Sequence, residues 1–514
     1  MKAGASPWGA PAAFCAPFGL HRGPPARAGG SVYNRGMDLP LRFPLRVAGQ
    51  TFDDAATTEV RDPWRGDVVG VVGVAGDANA ELAIRAATRS FDEMRRLPSF
   101  ERKRILRRIA AGVDQSAELF AELIAREAGK PIALARVEVK RAVATLELGA
   151  EEATRMGGEV IPLDVTEAAA GFTGGYARVA AGPVIALSPF NFPLNLVCHK
   201  LAPAFAAGCP IVLKPPPQAP LTALQLAKVV RDAGADERAF QVVPCSVPTA
   251  EKLVSDERFA TLSFTGSAKV GWYLKSIAGK KRTLLELGGN AAIVVHEDAN
   301  IPFALDRTIV SAFAYAGQVC IKGQRVFVHH TIYEAFVTEL ARRAAELRVL
   351  DPLDPSATVS CLIDEASAER VETWVAEGAS RGMPILAGGS RTGSRFAPTV
   401  LAATSSTHAA LRVVAEEVFG PVLVVHRYEN WGDAIAAAAA TRYGLQAAVF
   451  TQHLGRIRQA FDGLPVGALI VNDSPSFRVD SMPYGGVKDS GLGREGVRYA
   501  IEEMTERKLL VVRG

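Results

Sequence analysis

Short β-branched runs alternate with stretches of helical periodicity through the middle of the chain, a pattern that predicts a parallel sheet covered by helices. Val-Ile-Ala-Leu at 184–187 is wholly apolar and reads as a strand, with a helix expected over 194–207. Ile211-Val212-Leu213 reads as a short buried strand ending at Lys214 and three prolines, before a helix over 221–232. Strands at 241–243 and 261–264, with a helix over 250–255 between them, repeat the rhythm. A second α/β unit starts near Ile293, with helical patterns over 301–315, 332–347 and 364–381 and a strand over 325–328. Strand-like text opens at 41–47, and a last strand is expected at 508–512.

A chain of 514 residues is long enough for roughly two to four domains rather than one core. Hydrophobic residues make up 48% and charged ones 22%, an ordinary globular balance. The net charge of +4 is carried by dispersed basic residues, so a nucleic-acid partner is not expected. Six cysteines (15, 198, 209, 245, 320, 361) form no CxxC pair, which favours free thiols in a reducing, cytoplasmic compartment. Among eight histidines only His329-His330 are adjacent, and two ligands do not make a site, so no metal is implied. The uncharged run at 179–198 is interrupted by three prolines, two asparagines and a serine, so no membrane span is expected. Residues 1–36 differ from the rest, being rich in Ala, Gly and Pro with four basic residues and no acidic one. A flexible tail, a transit-like leader and translation from an upstream start, with Met37 the true one, all fit. The expectation is a disordered extension over 1–37 without function.

Candidate chemistry sits in three pieces. Cys320 lies in the uncharged segment Ala314-Tyr315-Ala316-Gly317-Gln318-Val319-Cys320-Ile321. Glu286, 34 positions earlier, is a lone carboxylate in Leu284-Leu285-Glu286-Leu287-Gly288-Gly289. Ser188-Pro189-Phe190-Asn191 offers a side-chain amide from a turn. A thiol, a base and an amide donor are the parts that covalent catalysis at a carbonyl carbon needs. Each has a plainer reading: a free cysteine is commonly a buried structural thiol, and a turn asparagine commonly caps the next helix. Leucines on both sides of Glu286 weaken the reading of a solvent-facing carboxylate and favour a raised proton affinity. After the strand at 261–264, Thr265-Gly266-Ser267-Ala268-Lys269-Val270-Gly271 opens a helix. Its glycines would let a pyrophosphate approach the helix N-terminus, whereas Ser267 as a simple helix cap is an equal alternative without G-x-G-x-x-G.

In this order and spacing the pieces resemble the aldehyde dehydrogenase superfamily, closest to its lactaldehyde and non-phosphorylating glyceraldehyde-3-phosphate branch. Two longer segments match family motifs too: Glu416-Glu417-Val418-Phe419-Gly420-Pro421-Val422, and the run from Pro483 to Gly496. The resemblance extends from about Val47 to the C-terminus. It implies an α/β, aldehyde dehydrogenase-like fold: a Rossmann-type cofactor domain at 38–156 and 181–296 and an α/β catalytic domain at 297–480. A small β oligomerisation flap at 157–180, with the tail 481–514, would bridge to a neighbour by strand addition in a homodimer or tetramer. It implies NAD or NADP, held by Ser188, Pro189 and Phe190, by Lys214 at the adenosine ribose, and by Gly266, Ser267 and Gly271 at the pyrophosphate. Leu287, Glu417 and Phe419 would complete the nicotinamide end. In the implied reaction the Cys320 thiolate attacks an aldehyde, and the Asn191 amide and the Cys320 N–H stabilise the oxyanion. Hydride leaves, and Glu286 activates the water that hydrolyses the thioester.

Coenzyme-A-acylating relatives lack a glutamate at the position of Glu286, so a free acid product is expected. Branches acting on phosphorylated or phosphonate aldehydes place Arg before the nucleophile, where this chain has Val319. Arg141, on a helix beside the implied substrate tunnel, and Arg478, in the loop 474–480, would suit an anionic substrate, or each is simply salt-bridged. The expected substrate is a small polar aldehyde such as lactaldehyde or glyceraldehyde. An anionic aldehyde (glyceraldehyde 3-phosphate, phosphonoacetaldehyde, a semialdehyde) and a coenzyme-A-acylating reaction are the alternatives. Pro217 stands where NAD-preferring relatives carry Glu, which predicts that NADP is accepted. Lys488 and Arg494 read as structural.

Overall fold

The apolar runs at 184–187, 211–213, 241–243 and 261–264 become neighbouring strands of one sheet in the computed structural model, which describes residues 39–514. The extension expected at 1–37 lies outside the described residues. Across this sheet the strands run Phe240–Val242, Ile211–Lys214, Val184–Leu187, Thr261–Thr265 and Arg282–Glu286, all parallel. Numbered along the chain, that order is 3-2-1-4-5, the doubly wound arrangement of a dinucleotide-binding sheet. Strand order reverses between Val184–Leu187 and Thr261–Thr265, which leaves a crevice at their carboxyl ends. A sixth, antiparallel strand, Gly491–Leu492, comes from the C-terminal motif and pairs with Leu285 and Glu286.

Helices flank this sheet because its strands are apolar on both faces. The helix Asn195–Ala207 is buried along its whole length and packs on Ile132–Glu152. It ends at Gly208, whose φ of 84° gives the left-handed cap that a side chain would oppose.

A second sheet of seven strands runs Ile385–Ala387, Thr399–Ala403, Val422–Tyr428, Gly323–His329, Ala291–Val295, Gln446–Phe450, Ala468–Val471. All are parallel except the first. Helices Tyr333–Glu346 and Glu365–Ser380 fall where periodicity put them. The helix expected over 301–315 stops at Phe313, because the next residues leave the right-handed region. The two sheets meet through 287–290: the chain leaves the first sheet at Glu286 and enters the second at Ala291.

The third sheet stands apart. Thr505–Arg513 pairs antiparallel with Phe172–Ala180, which pairs with Gly158–Pro162. The flap segment and the last strand thus close on each other within the chain, with Thr505–Arg513 and Gly158–Pro162 as the outer strands. Leu509, Leu510, Val511 and Val512 are exposed along that last strand. No helix among the described residues is long and apolar enough to cross a membrane.

Candidate active site

Between Phe313 and Cys320 the chain turns through Tyr315, Ala316 and Gly317 with φ of 54°, 52° and 69°. Left-handed backbone costs a residue with a side chain about 1–2 kcal/mol, so two in succession need support. Tyr315 supplies it: its N–H donates to the Thr358 carbonyl at 2.9 Å and its hydroxyl to the Ala128 carbonyl at 3.0 Å. Gly317 is obligatory, since a Cβ there would stand 2.3 Å from the Gly420 carbonyl oxygen. The Gln318 side chain is buried and accepts the Ile363 N–H at 2.9 Å. This frame presents Cys320 with its Sγ 3.0 Å from the Tyr484 hydroxyl. Burial pushes the thiol up to about 11; Tyr484 and Arg478 oppose that rise, while Glu417 and Glu286 add to it.

Asn191 reaches the same segment, its Nδ2 donating to the Gln318 carbonyl at 2.9 Å. Its turn is held from the helix Ile132–Glu152, where Glu138 accepts the N–H groups of Leu194 and Asn195 at 2.9 and 3.1 Å. A carboxylate there also complements the start of the helix Asn195–Ala207.

Glu286 ends the fifth strand and is buried. Its Oε1 accepts the Glu495 N–H at 3.3 Å, and its Oε2 has no hydrogen-bond partner among the described residues. Burial and then the neighbouring Glu495 charge hold its carboxyl well above the usual range. Glu495 has the opposite fate: burial works against its charge, yet Lys200, His199 and Arg478 keep it below the usual range. Tyr484 and Gly485 lie between Glu286 and Cys320. Tyr484 touches Cys320, and a Cβ on Gly485 would stand 2.8 Å from Glu286 Oε1.

On the other side of Cys320 the expected cofactor residues gather at the sheet crevice. Ser188 follows the first strand, and its buried Oγ has no partner. Ser267 sits at the N-cap of Ala268–Ile277 in extended backbone, but its side chain makes no capping bond. The simple capping reading therefore does not describe it, and its hydroxyl remains free for a ligand. Gly266 donates its N–H to the Glu286 carbonyl at 3.0 Å. A Cβ on Gly266 would lie 2.5 Å from the Phe264 ring, and one on Gly271 2.3 Å from the Leu287 side chain. Lys214 ends its strand half-buried, and burial lowers its proton affinity. Glu417 accepts the Gly289 N–H at 3.0 Å and leaves no room for a Cβ on Gly288. Burial pushes its carboxyl up to about 7. Phe190 and Phe419 meet edge to face at 5.9 Å, and Pro189 adjoins Phe190 in the turn after the first strand.

Both candidate substrate arginines are engaged by the chain's own carboxylates. Arg141 donates to Asp480 at 2.6 and 3.2 Å. Arg478 donates to Glu495 at 3.1 Å and lies 3.6 Å from the Tyr484 ring centroid. Around them runs a buried network that sequence reasoning missed. His199 contacts Asp480 at 2.8 Å and Arg478 at 3.2 Å, and Lys200 contacts Thr265 at 2.7 Å and Glu495 at 3.4 Å. A histidine and a lysine inside an otherwise apolar helix pattern were the available signal. Lys488 and Arg494 bind backbone carbonyls, Ala439 and Thr441 for the one, Gly486 and Gly493 for the other.

Residues 51–510 match the aldehyde dehydrogenase family. The chain belongs to that family. A 3-sulfolactaldehyde dehydrogenase of Priestia aryabhattai is 38% identical over 472 residues, covering 92% of this chain and 98% of that protein. Among solved structures, aldehyde dehydrogenase 21 from Physcomitrella patens, in complex with the reaction product succinate, superposes with a TM-score of 0.89. It is 38% identical, over 92% of this chain and 98% of that one. The glyceraldehyde-3-phosphate dehydrogenase from Methanocaldococcus jannaschii complexed with NADP superposes with a TM-score of 0.85 at 36% identity, over 89% and 99% of the chains. The dehydrogenase is thus an oxidoreductase acting on aldehydes, with NAD or NADP as cofactor. The crevice fits that cofactor: two hydroxyls without partners among the described residues, Ser188 and Ser267, and two close-packed glycines lie at and just beyond the carboxyl ends of the reversing strands.

One cluster in the enzyme lies outside this site. His296, Glu297 and His329 bring ligand atoms within 4.8 Å of one another at the ends of Ala291–Val295 and Gly323–His329. Their two imidazole rings stack at 18°, so the in-plane lone pairs do not converge, and His329 Nδ1 is 2.8 Å from the Thr331 hydroxyl.

Proposed function

We propose that the enzyme oxidises a short polar aldehyde to the free carboxylic acid through a covalent adduct on Cys320. The observation that carries this reading is that Cys320 and Glu286 approach each other across one dipeptide, Tyr484-Gly485, while the Asn191 amide bonds to the Gln318 carbonyl two residues before Cys320. Cys320, as thiolate, attacks the aldehyde carbon. An amide nitrogen carries two hydrogens, and the Gln318 carbonyl takes one of those on Asn191, so the other serves the developing oxyanion together with the Cys320 N–H. The nicotinamide cofactor supplies the hydride acceptor when bound. Ser188, Pro189, Phe190, Lys214, Gly266, Ser267, Gly271, Leu287, Glu417 and Phe419 form its cradle. Collapse of the adduct leaves an acyl thioester on Cys320. Glu286 then removes a proton from water, the resulting hydroxide adds to the thioester carbon, and the acid departs as Cys320 recovers its thiolate.

Substrate choice follows from the arginines. Each is matched to a carboxylate, so there is no surplus of cations for a dianionic phosphate, and an uncharged aldehyde such as lactaldehyde or glyceraldehyde fits best. One observation favours a second reading, a singly charged aldehyde: Arg478 lies on the ring whose hydroxyl touches the nucleophile. Two relatives, named for 3-sulfolactaldehyde and solved with succinate, bear negative charge on substrate or product. The test follows cofactor reduction over lactaldehyde, glyceraldehyde, 3-sulfolactaldehyde, succinic semialdehyde and glyceraldehyde 3-phosphate, with each cofactor, with and without coenzyme A. Turnover to free acid without coenzyme A is expected. Dependence on coenzyme A would overturn the hydrolytic reading, and a preference for the phosphorylated aldehyde would overturn the substrate argument.

A further inference from the structure

Tyr484 has no part in the reaction derived above, yet its hydroxyl is 3.0 Å from the Cys320 sulfur. We propose that Tyr484 is a catalytic residue: its hydroxyl donates a hydrogen bond to the Cys320 sulfur and favours thiolate over thiol before the aldehyde arrives. The proposal rests on Cys320 being the nucleophile.

The argument is one of differential bonding. With a neutral thiol, the contact is a weak bond between two neutral groups. Once sulfur is ionised, only the tyrosine can donate, and a hydrogen bond to an anion is roughly twice as strong. The bond therefore gains strength on ionisation, which is what lowers a proton affinity. The proton stays on the tyrosine oxygen throughout, because burial holds that phenol well above its usual range.

The ring is fixed in place. Its backbone exchanges two hydrogen bonds with Glu495, at 2.9 and 2.6 Å, and the Arg478 guanidinium covers its face at 3.6 Å. That cation, itself held by Glu495, adds to the stabilisation of a thiolate. Two carboxyl groups, Glu286 and Glu417, face the sulfur from the other elements and oppose ionisation. Tyr484 and Arg478 are the charged or titratable groups that favour it. Without the hydroxyl, a thiol flanked by two acids would hold its proton more tightly still.

Tyr484→Phe removes only the hydroxyl and keeps the ring under Arg478. The measurement is the pH profile of Cys320 alkylation by iodoacetamide, which reacts with the thiolate, read by peptide mass. The expected midpoint moves up by about one unit and the rate at neutral pH falls about tenfold, while the limiting rate at high pH is kept. Introducing meta-fluorotyrosine at position 484, a stronger donor of the same shape, should shift the midpoint down, and keeps the idea testable if the phenylalanine variant does not fold. Label on Cys320 with a midpoint unmoved in both variants would overturn the role of Tyr484. Label falling first on another cysteine would overturn the nucleophile itself.

Discussion

Glu286→Gln separates the two half-reactions. The substitution keeps side-chain size and removes the base, in a place where Oε2 has no partner in the protein and Oε1 meets a backbone N–H. Loss of a positioned general base costs about 10²- to 10⁴-fold, or about 3–5 kcal/mol of barrier, and here it falls on hydrolysis of the thioester alone. In the proposed mechanism acylation uses Cys320 and Asn191, so a stopped-flow trace should show a burst of about one equivalent of reduced cofactor per site, then a slow phase. The pH dependence has a definite sign. Glu286 is held above the usual carboxyl range, so its basic form is missing at low pH and steady turnover should rise with pH through the raised value. That limb should vanish in the variant. Stability moves the other way. An acid whose proton affinity rises on folding stabilises the fold below its unfolded value near 4.5, and that contribution is lost as pH rises through the folded one. Glutamine does not titrate, so this pH dependence of stability should be absent from the variant when melting is followed across pH. Unchanged steady turnover, or a linear trace without a burst, would refute the assignment.

Cys320→Ala should abolish oxidation while cofactor binding, followed by fluorescence quenching, survives; retained turnover would remove Cys320 from the reaction. Asn191→Ala should slow the burst itself by roughly a hundredfold or more, in contrast to the base variant, since an oxyanion donor is lost. Asp480→Asn leaves Arg141 and His199 without their shared anion and should lower stability by about 3 kcal/mol in chemical denaturation. Asp480 is held below the usual range against burial by His199 and Arg141, so its contribution is present above about pH 4 and lost on further acidification. Pro217→Glu, at an exposed position three residues beyond Lys214, adds a carboxylate that would accept ribose hydroxyls and repel a 2′-phosphate. The ratio of kcat/KM for NADP over NAD should fall, and an unmoved ratio would assign the choice to another group.

Four strands of the Rossmann-type sheet were legible as short, mostly apolar runs, and the helix over 221–232 matches to the residue, whereas Arg282–Glu286, which begins with Arg-Thr, was not legible as a strand. Cys320, Glu286 and Asn191 could be singled out as candidates because unusual residue types stand in distinctive local text. What the sequence hid is what depends on distant partners. Nothing in Ala-Tyr-Ala-Gly announces two left-handed residues before Cys320; they persist because Thr358 and Ala128, remote in sequence, bind Tyr315. Tyr484 and Glu495 both lay within a motif already recognised, but their contacts with Cys320, Glu286 and Arg478 appear only when the tail joins the first sheet as its sixth strand.

That convergence also bears on which aldehyde the site admits. Arg141, Arg478 and Lys200 face Asp480, Glu495 and Glu286, three potential cations against three potential anions. Were all six ionised, the group would be neutral and an added negative charge would be unwelcome. Glu286, however, is the one carboxyl held well above its usual range, so in its protonated state the group carries one surplus positive charge. That single surplus charge matches the oxyanion formed on an uncharged aldehyde, in line with the proposed substrate. A dianion would need a second cation, and the position before the nucleophile offers Val319 instead. Glu286 is ionised before it acts as base and takes up the water proton during hydrolysis, so the group regains its surplus positive charge as the acid forms.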